Sequence, residues 1–227
     1  IDRGRDKDCG RGDIICLLLI MKNFKDVEKY FNDVEPILID LKIGLFNSKY
    51  LGTLEQEDEK WAAKHGFFIN YIAQMKFVCS IQLCKLLIDN DNQKLNYLKF
   101  MRRLESDFRI RKTRTQNFNS RQEKYFYENL NGIKDSIPAT LKLIRGKIDD
   151  KKVLIEKLKN VRDNIYAHTD PSSKDKFISW EEVYDLSILA VDVYNILNEK
   201  LTFTTLYLEK LEPWSPKWII ERLAKSK

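Results

Sequence analysis

The sequence predicts an all-α protein, an antiparallel bundle of about five to seven helices. Apolar residues recur at spacings of three and four along most of the chain, which is the period of an amphipathic helix. Proline and glycine are few, with 5 and 8 in 227 residues, and the long runs lack the Val and Thr alternation of strands. The connections between predicted helices are short, so neighbouring helices are expected to run antiparallel.

The first half of the chain predicts three helices. The first covers 22–43, and Gly44 falls where a C-terminal cap is expected. The second is one long helix over 56–88, and its apolar seam includes Trp61. Polar residues then interrupt the pattern, and a third helix is expected over 92–103.

The second half begins with a helix over 125–137 that ends before Pro138, followed by a shorter helix over 139–145. Asp149 and Asp150 favour the start of the next helix, because carboxylates complement the positive end of its dipole. The apolar seam of that helix is expected to contain Val153, Leu154, Leu158, Val161 and Ile165.

The last long helix has the clearest start signal in the chain. Ser179 is followed three residues later by Glu182, which is the pattern of a capping box. A helix is therefore expected from this point to Leu201, and a tail with a short final helix follows it.

Three segments are expected along the chain. Residues 1–20 form a non-native or flexible extension, 21–201 form the bundle, and 202–227 form a C-terminal appendage. Met21 is expected to be the natural start, because a helix pattern follows it at once. The apolar run over 14–21 is too short to span a bilayer, so no membrane partner is expected. Cys79 and Cys84 lie in an apolar helical pattern, which favours buried reduced thiols in a cytoplasmic protein.

A basic segment lies where the helical pattern weakens. It contains Arg109, Arg111, Lys112 and Arg114, and aromatic residues are interleaved with them. Such a segment can follow a phosphate backbone, so these four residues are candidates for RNA binding. A solvated loop or a frayed helix end gives the same pattern. The net charge of +6 is compatible with a nucleic-acid partner but is not specific to one.

Arg162 and His168 stand out at the end of a predicted helix. His168 is one of only two histidines, and histidine exchanges protons near neutral pH. Arginine stays charged and its planar fork fits phosphate. Together they are a minimal set for cutting a phosphodiester without a metal. The chain has no Gly-rich phosphate loop and no acidic metal-binding motif, which argues against a kinase or an ATPase.

The segment from Val161 to Asp170 resembles the signature of the HEPN superfamily, helical domains with an Arg-x(4–6)-His motif on a late core helix. Its form, Val-Arg-Asp followed by Ala-His-Thr-Asp, is similar to the abortive-infection Abi-U branch. The helix patterns before and after the motif agree with that branch, so the likeness covers roughly residues 22–201. One toxin subgroup continues its motif as His-x-Tyr, whereas this chain has Asp170 at that position.

The resemblance implies a homodimer whose Arg-His motifs face each other across the interface. It also implies a metal-independent endoribonuclease without a cofactor, acting as a toxin or phage-defence effector, with an antitoxin or a defence-system protein as a possible partner. Some members of the superfamily have lost catalysis and only bind RNA or act as scaffolds. A non-catalytic RNA-binding or scaffold dimer that works with a partner protein is therefore the alternative.

In this interpretation Arg162 and His168 are catalytic. Six residues turn an ideal helix through about 600°, so the two side chains point roughly 120° apart and do not easily grip one phosphate from one straight helix. A loosened helix end or a second copy of the chain would bring them together. Supporting roles are expected for Asp163, Asn164, Tyr166 and Asp170. Without the resemblance, the same residues would be read as packing and capping groups at a helix end.

Overall fold

The structure, a computed structural model, describes residues 23–89, 93–106, 110, 118–163, 178–208 and 211–226. Every regular element in these ranges is helical, so the prediction of an all-α protein is confirmed. The α-helices are α1 (Phe24–Gly52), α2 (Glu57–Ala63), α3 (Gly66–Leu87), α4 (Tyr97–Ser106), α5 (Arg121–Glu128), α6 (Leu130–Asp150), α7 (Lys152–Val161), α8 (Trp180–Thr202) and α9 (Lys217–Ala224).

Helix α1 begins as its sequence predicts but ends later. Asn23 caps it, because its side chain accepts a hydrogen bond from the Asp26 N–H and the Asp26 carboxylate accepts one from the Asn23 N–H. The helix then continues to Gly52, so the prediction that Gly44 caps it was wrong. Gly44 is buried inside the helix, where a Cβ atom would lie 2.8 Å from Cys79 Sγ. This glycine allows α1 and α3 to pack closely.

We expect Gly44→Ala to lower the free energy of unfolding by about 1 kcal/mol. Overpacking costs about 1–3 kcal/mol, which exceeds the gain of about 1 kcal/mol in helix propensity. Gly146→Ala is the matched control, because Gly146 is also helical and no atom lies within 4 Å of the added Cβ. That control should stabilise the protein in urea unfolding. Equal stabilisation by both substitutions would contradict the close packing at Gly44.

The predicted long helix over 56–88 is two helices, because the chain turns at Lys64 and His65 between α2 and α3. His65 caps α3, and its Nδ1 accepts a hydrogen bond from the Phe67 N–H at 3.4 Å. The division moves Trp61 onto α2, where 50% of its surface is exposed, so its placement in the core seam was wrong.

Helix α6 continues through Pro138, so the predicted break there was wrong. Proline removes one backbone hydrogen bond, but the buried seam is continuous across it from Ile133 and Ile137 to Leu141. Packing of this seam against α8 keeps the segment helical. Asp149 and Asp150 end α6, and α7 begins after them at Lys152, so their assignment to the start of α7 was also wrong.

Helix α8 lies at the centre of the bundle and contacts α1, α3, α5, α6 and α7. Its predicted capping box is confirmed, because the Ser179 hydroxyl accepts from the Glu182 N–H and the Glu182 carboxylate accepts from the Ser179 N–H. The core around α8 also contains two buried tyrosines. The Tyr97 hydroxyl donates to the Ala190 carbonyl oxygen at 2.9 Å, and the Tyr30 hydroxyl donates to that of Leu95 at 3.2 Å.

A second, smaller apolar cluster joins the C-terminal helix to the bundle. Ile220 of α9 packs with Ala62 of α2, Phe68 of α3 and Leu51 of α1. Trp214 and Trp218 in the same segment remain exposed over 62% and 64% of their surfaces. The division of the chain into 1–20, 21–201 and 202–227 stays a prediction, and its first segment lies outside the described residues.

Among the described helices, α3 has the length and the mean hydropathy of a membrane span. Only 28% of its most apolar window is buried in the protein. This test rests on length and composition alone, and core helices also pass it. Helix α3 packs against α1 and α8 through Leu83, Leu86 and Leu87, which are fully buried. The cytoplasmic location stays a prediction.

Candidate functional site

Helix α7 carries Arg162 to the edge of the bundle. Its residues Leu158 and Val161 are buried in the main core, and they hold the end of the helix in place. Val153 is 87% exposed, so its predicted place in the seam was wrong. Val153 lies in the first turn of α7, before the buried side of the helix reaches the core.

Two ion pairs hold α7 and its N-terminus against the start of α8. Lys157 Nζ lies 2.6 Å from Glu182 Oε1, and Lys151 Nζ lies 2.9 Å from Asp185 Oδ2. The ammonium of Lys157 and the Ser179 N–H both lower the pKa of Glu182. Because these side chains are partly exposed, each pair contributes little stability, but together they align the two helices.

The backbone changes its winding at Arg162. Its N–H donates to the carbonyl oxygens of both Leu158 and Lys159, and Arg162 and Asp163 lie in a π-helical turn. A π turn widens a helix and changes the direction of its side chains, and such turns are frequent at functional sites. The observed turn agrees with the expectation that an ideal straight helix does not continue through the motif.

The Arg162 side chain is positioned by its neighbour in the chain. Its Nε donates to Asp163 Oδ1 at 2.7 Å, and the side chain is 24% exposed. This hydrogen bond raises the pKa of the Arg162 guanidinium further above its ordinary value. The bond uses only Nε, so it leaves the two terminal amino groups of the planar fork for another acceptor. Arg162 is therefore a fixed cation with an open phosphate-binding edge.

Helix α3 lies next to the arginine, a feature that sequence analysis missed. Burial raises the pKa of the Cys84 thiol to about 12, with smaller opposite effects from the charges of Arg162 and Asp163. Cys84 is therefore a neutral packing group beside the site and not a nucleophile. No local sequence signal connects Cys84 with Arg162, because α3 and α7 are far apart in the chain.

Most of the predicted site lies outside the described residues. This holds for His168, Asn164, Tyr166 and Asp170, which follow Arg162 and Asp163. It also holds for the four candidate RNA-binding residues, Arg109, Arg111, Lys112 and Arg114. Their roles stay predictions, and of the predicted site the described structure brings together Arg162 and Asp163.

The basic residues just before that segment are already engaged. Arg102 makes two hydrogen bonds to the Asp89 carboxylate, at 2.6 and 2.8 Å. Glu105, two turns from the end of this pair's helix partner, binds Arg145 of α6. The charges at the end of α4 therefore serve contacts within the bundle.

In the ranges that the structure describes, no group of three or more His, Cys, Asp or Glu side chains is placed to hold a metal ion. His65, the other histidine, caps α3 and has no charged cluster assigned to it. The candidate chemistry of the described site is therefore that of a guanidinium held by a carboxylate.

The fold and the site define an all-α bundle with an Arg-x(5)-His segment at the end of one of its helices. The family model HEPN_AbiU2, described as AbiU2, matches residues 25–213, and the chain belongs to this family. Membership connects the protein with the HEPN superfamily and, by the family name, with abortive infection. Neither the curated proteins nor the solved structures gave a match.

Proposed function

We propose that the protein is a metal-independent endoribonuclease of HEPN type that acts as a toxin or phage-defence effector. The observation that carries the proposal is the fixed Arg162 at the end of α7. Its Nε is held by Asp163, and the open edge of its fork has the shape to bind a phosphate. Family membership supplies the context in which this arginine precedes a histidine.

The proposed chemistry needs one proton-transfer group and one fixed cation. His168 acts on the ribose 2′-hydroxyl as a general base or on the leaving oxygen as a general acid. Arg162 stabilises the negative charge that develops on the phosphorane, and Asp163 keeps it in place. Asn164, Tyr166 and Asp170 orient the imidazole or contact the RNA. The expected product carries a 2′,3′-cyclic phosphate.

The proposed active form is a homodimer with a composite cleft. Two-fold symmetry places both copies of Arg162 and both copies of His168 at one interface, so that each phosphate is gripped by groups from two subunits. The π turn at Arg162 supports this proposal, because it redirects the chain at the position where the motif starts. Arg109, Arg111, Lys112 and Arg114 are proposed to hold the RNA backbone.

Removal of metal ions tests the proposed chemistry directly. We expect RNA cleavage to proceed at the same rate in EDTA as in magnesium, because the proton transfer and charge stabilisation come from side chains. Gel analysis should show fragments that end in a 2′,3′-cyclic phosphate, since the 2′-hydroxyl is the nucleophile. Loss of cleavage in EDTA, restored by a divalent cation, would contradict the proposal.

The alternative is a non-catalytic dimer that binds RNA or acts as a scaffold with a partner protein. The exposure of Trp214 and Trp218 favours a partner surface in the C-terminal segment. Trp214→Ser and Trp218→Ser test it better than truncation, because removal of α9 would also remove the buried Ile220. Loss of a partner seen with the wild type, with the bundle still folded, supports this alternative.

A further inference from the structure

A separate cleft opens on another part of the bundle. It lies between the second half of α1, the first turns of α8 and the chain around Leu208 and Leu211. Its volume is about 650 Å³, which is within the range of small-molecule sites. Neither Arg162 nor Asp163 lines it. A ligand in this cleft would therefore not occupy the site proposed for RNA cleavage.

The walls of the cleft combine aromatic rings with two lysines. Phe46 comes from α1, whereas Trp180 and Tyr184 come from α8. Lys42 and Lys49 lie seven residues apart on α1, about two helical turns, so both are on the same side of the helix. Burial lowers the pKa of Lys42, because its ammonium is partly removed from water.

The charges of the cleft are unevenly matched. Asp185 is paired with Lys151, at 2.9 Å between Oδ2 and Nζ. The pKa of Glu181 is lowered by its own backbone N–H and by the Ser179 hydroxyl, so this carboxylate is also hydrogen-bonded. Within the described ranges, neither Lys42 nor Lys49 forms an ion pair. The acids of the cleft are satisfied, and its lysines are left for an anion.

Ser48 adds a buried group that lacks a hydrogen bond. It lines the cleft beside Lys49 and is only 8% exposed, and its hydroxyl has no partner among the described residues. A buried hydroxyl without a partner costs about 1–3 kcal/mol, so such groups are normally satisfied. An oxygen-rich anion between the two lysines would accept this hydrogen bond.

We infer that this cleft binds a small anion that carries a flat aromatic ring, the chemistry of a mononucleotide. The phosphate is held by Lys42 or Lys49 and accepts a hydrogen bond from Ser48. The base stacks against the aromatic wall formed by Trp180 and Tyr184. The inference does not depend on the proposed ribonuclease activity, because no residue of that site takes part.

Calorimetric titration of the full chain tests the inference. The four nucleoside 5′-monophosphates are added one at a time, and inorganic phosphate and adenosine are added separately. At least one nucleotide should bind, at least about tenfold more tightly than phosphate or adenosine, because only the nucleotide uses both the lysines and the rings. The double variant Lys42→Gln/Lys49→Gln should weaken binding of that nucleotide at least about tenfold.

Lys29→Gln is the matched control, since Lys29 is an exposed lysine of α1 outside the cleft. It should bind the nucleotide as the wild type does. Circular dichroism confirms that the variants are folded. The inference is overturned if no nucleotide binds at millimolar concentration, if phosphate alone binds equally well, or if the folded double variant keeps wild-type affinity. Calorimetry keeps these outcomes distinct from any loss of RNA cleavage.

Discussion

Replacing His168 with alanine is expected to lower the rate of RNA cleavage by about 10²- to 10⁴-fold, the usual contribution of a general acid or base. RNA affinity should remain close to that of the wild type, because a neutral imidazole adds little to binding of the phosphate backbone. The measurement is a single-turnover cleavage assay alongside a binding titration at fixed ionic strength. The separation of the two effects distinguishes an enzyme from a binding protein.

The matched control is His65→Ala, since His65 is the other histidine of the chain and caps α3. It should lower stability by about 1 kcal/mol, the usual effect of losing an N-cap, and leave the cleavage rate unchanged. Cleavage by His168→Ala at the wild-type rate would refute the catalytic role of this histidine. Absence of cleavage in the wild type, with RNA still bound, would support the non-catalytic alternative.

Mixed dimers are expected to regain activity that neither parent has. In a dimer with Arg162→Ala in one subunit and His168→Ala in the other, one composite cleft keeps an intact arginine and an intact histidine. Such heterodimers, isolated by two different affinity tags, should cleave RNA at about half of the wild-type rate, because one of two symmetric sites is complete. Each homodimeric variant should be nearly inactive, since both of its clefts lack one group.

The same experiment distinguishes a composite site from a site within one chain. If Arg162 and His168 act from a single subunit, every heterodimer contains two broken pairs and stays as inactive as its parents. Mass measurement by light scattering provides the necessary control, because a monomeric wild type excludes the composite cleft. A dimeric but inactive heterodimer would leave the ribonuclease proposal standing with a site inside each subunit.

The helix seams were predictable because their apolar residues repeat at the helical period. In α1, Val27, Phe31 and Val34 are all buried as the spacing predicts. Local start signals were equally reliable, as the hydrogen bonds between Ser179 and Glu182 show. Both signals lie within a few residues of each other, so no knowledge of distant contacts is needed.

The errors occurred where a distant helix overrides a local signal. Gly44 has the local character of a cap, but its lack of a side chain serves the contact with Cys79 on α3. Pro138 has the character of a break, but the buried seam on both of its sides keeps α6 helical. In each case packing against another element outweighs a preference of about 1–3 kcal/mol.

The candidate site divides in the same way. Arg162 was visible in the sequence as the start of a motif, and its hydrogen bond to the adjacent Asp163 is local. The position of Cys84 beside that pair was not visible, because it depends on how α3 packs against α7. The cleft lined by Lys42 and Trp180 was also not visible, since its walls come from two distant helices.

By itself, the sequence determined the helical class, the burial pattern of each main helix and the place of Arg162 at a helix end. These depend on periodicity, capping and motif spacing, which act over a few residues along the chain. Only the tertiary structure decided where α1 and α6 end, what lies beside Arg162 and which side chains enclose the second cleft. Those features arise from contacts between segments far apart in the chain, and the energies of close packing and burial that decide them are not encoded in any one segment.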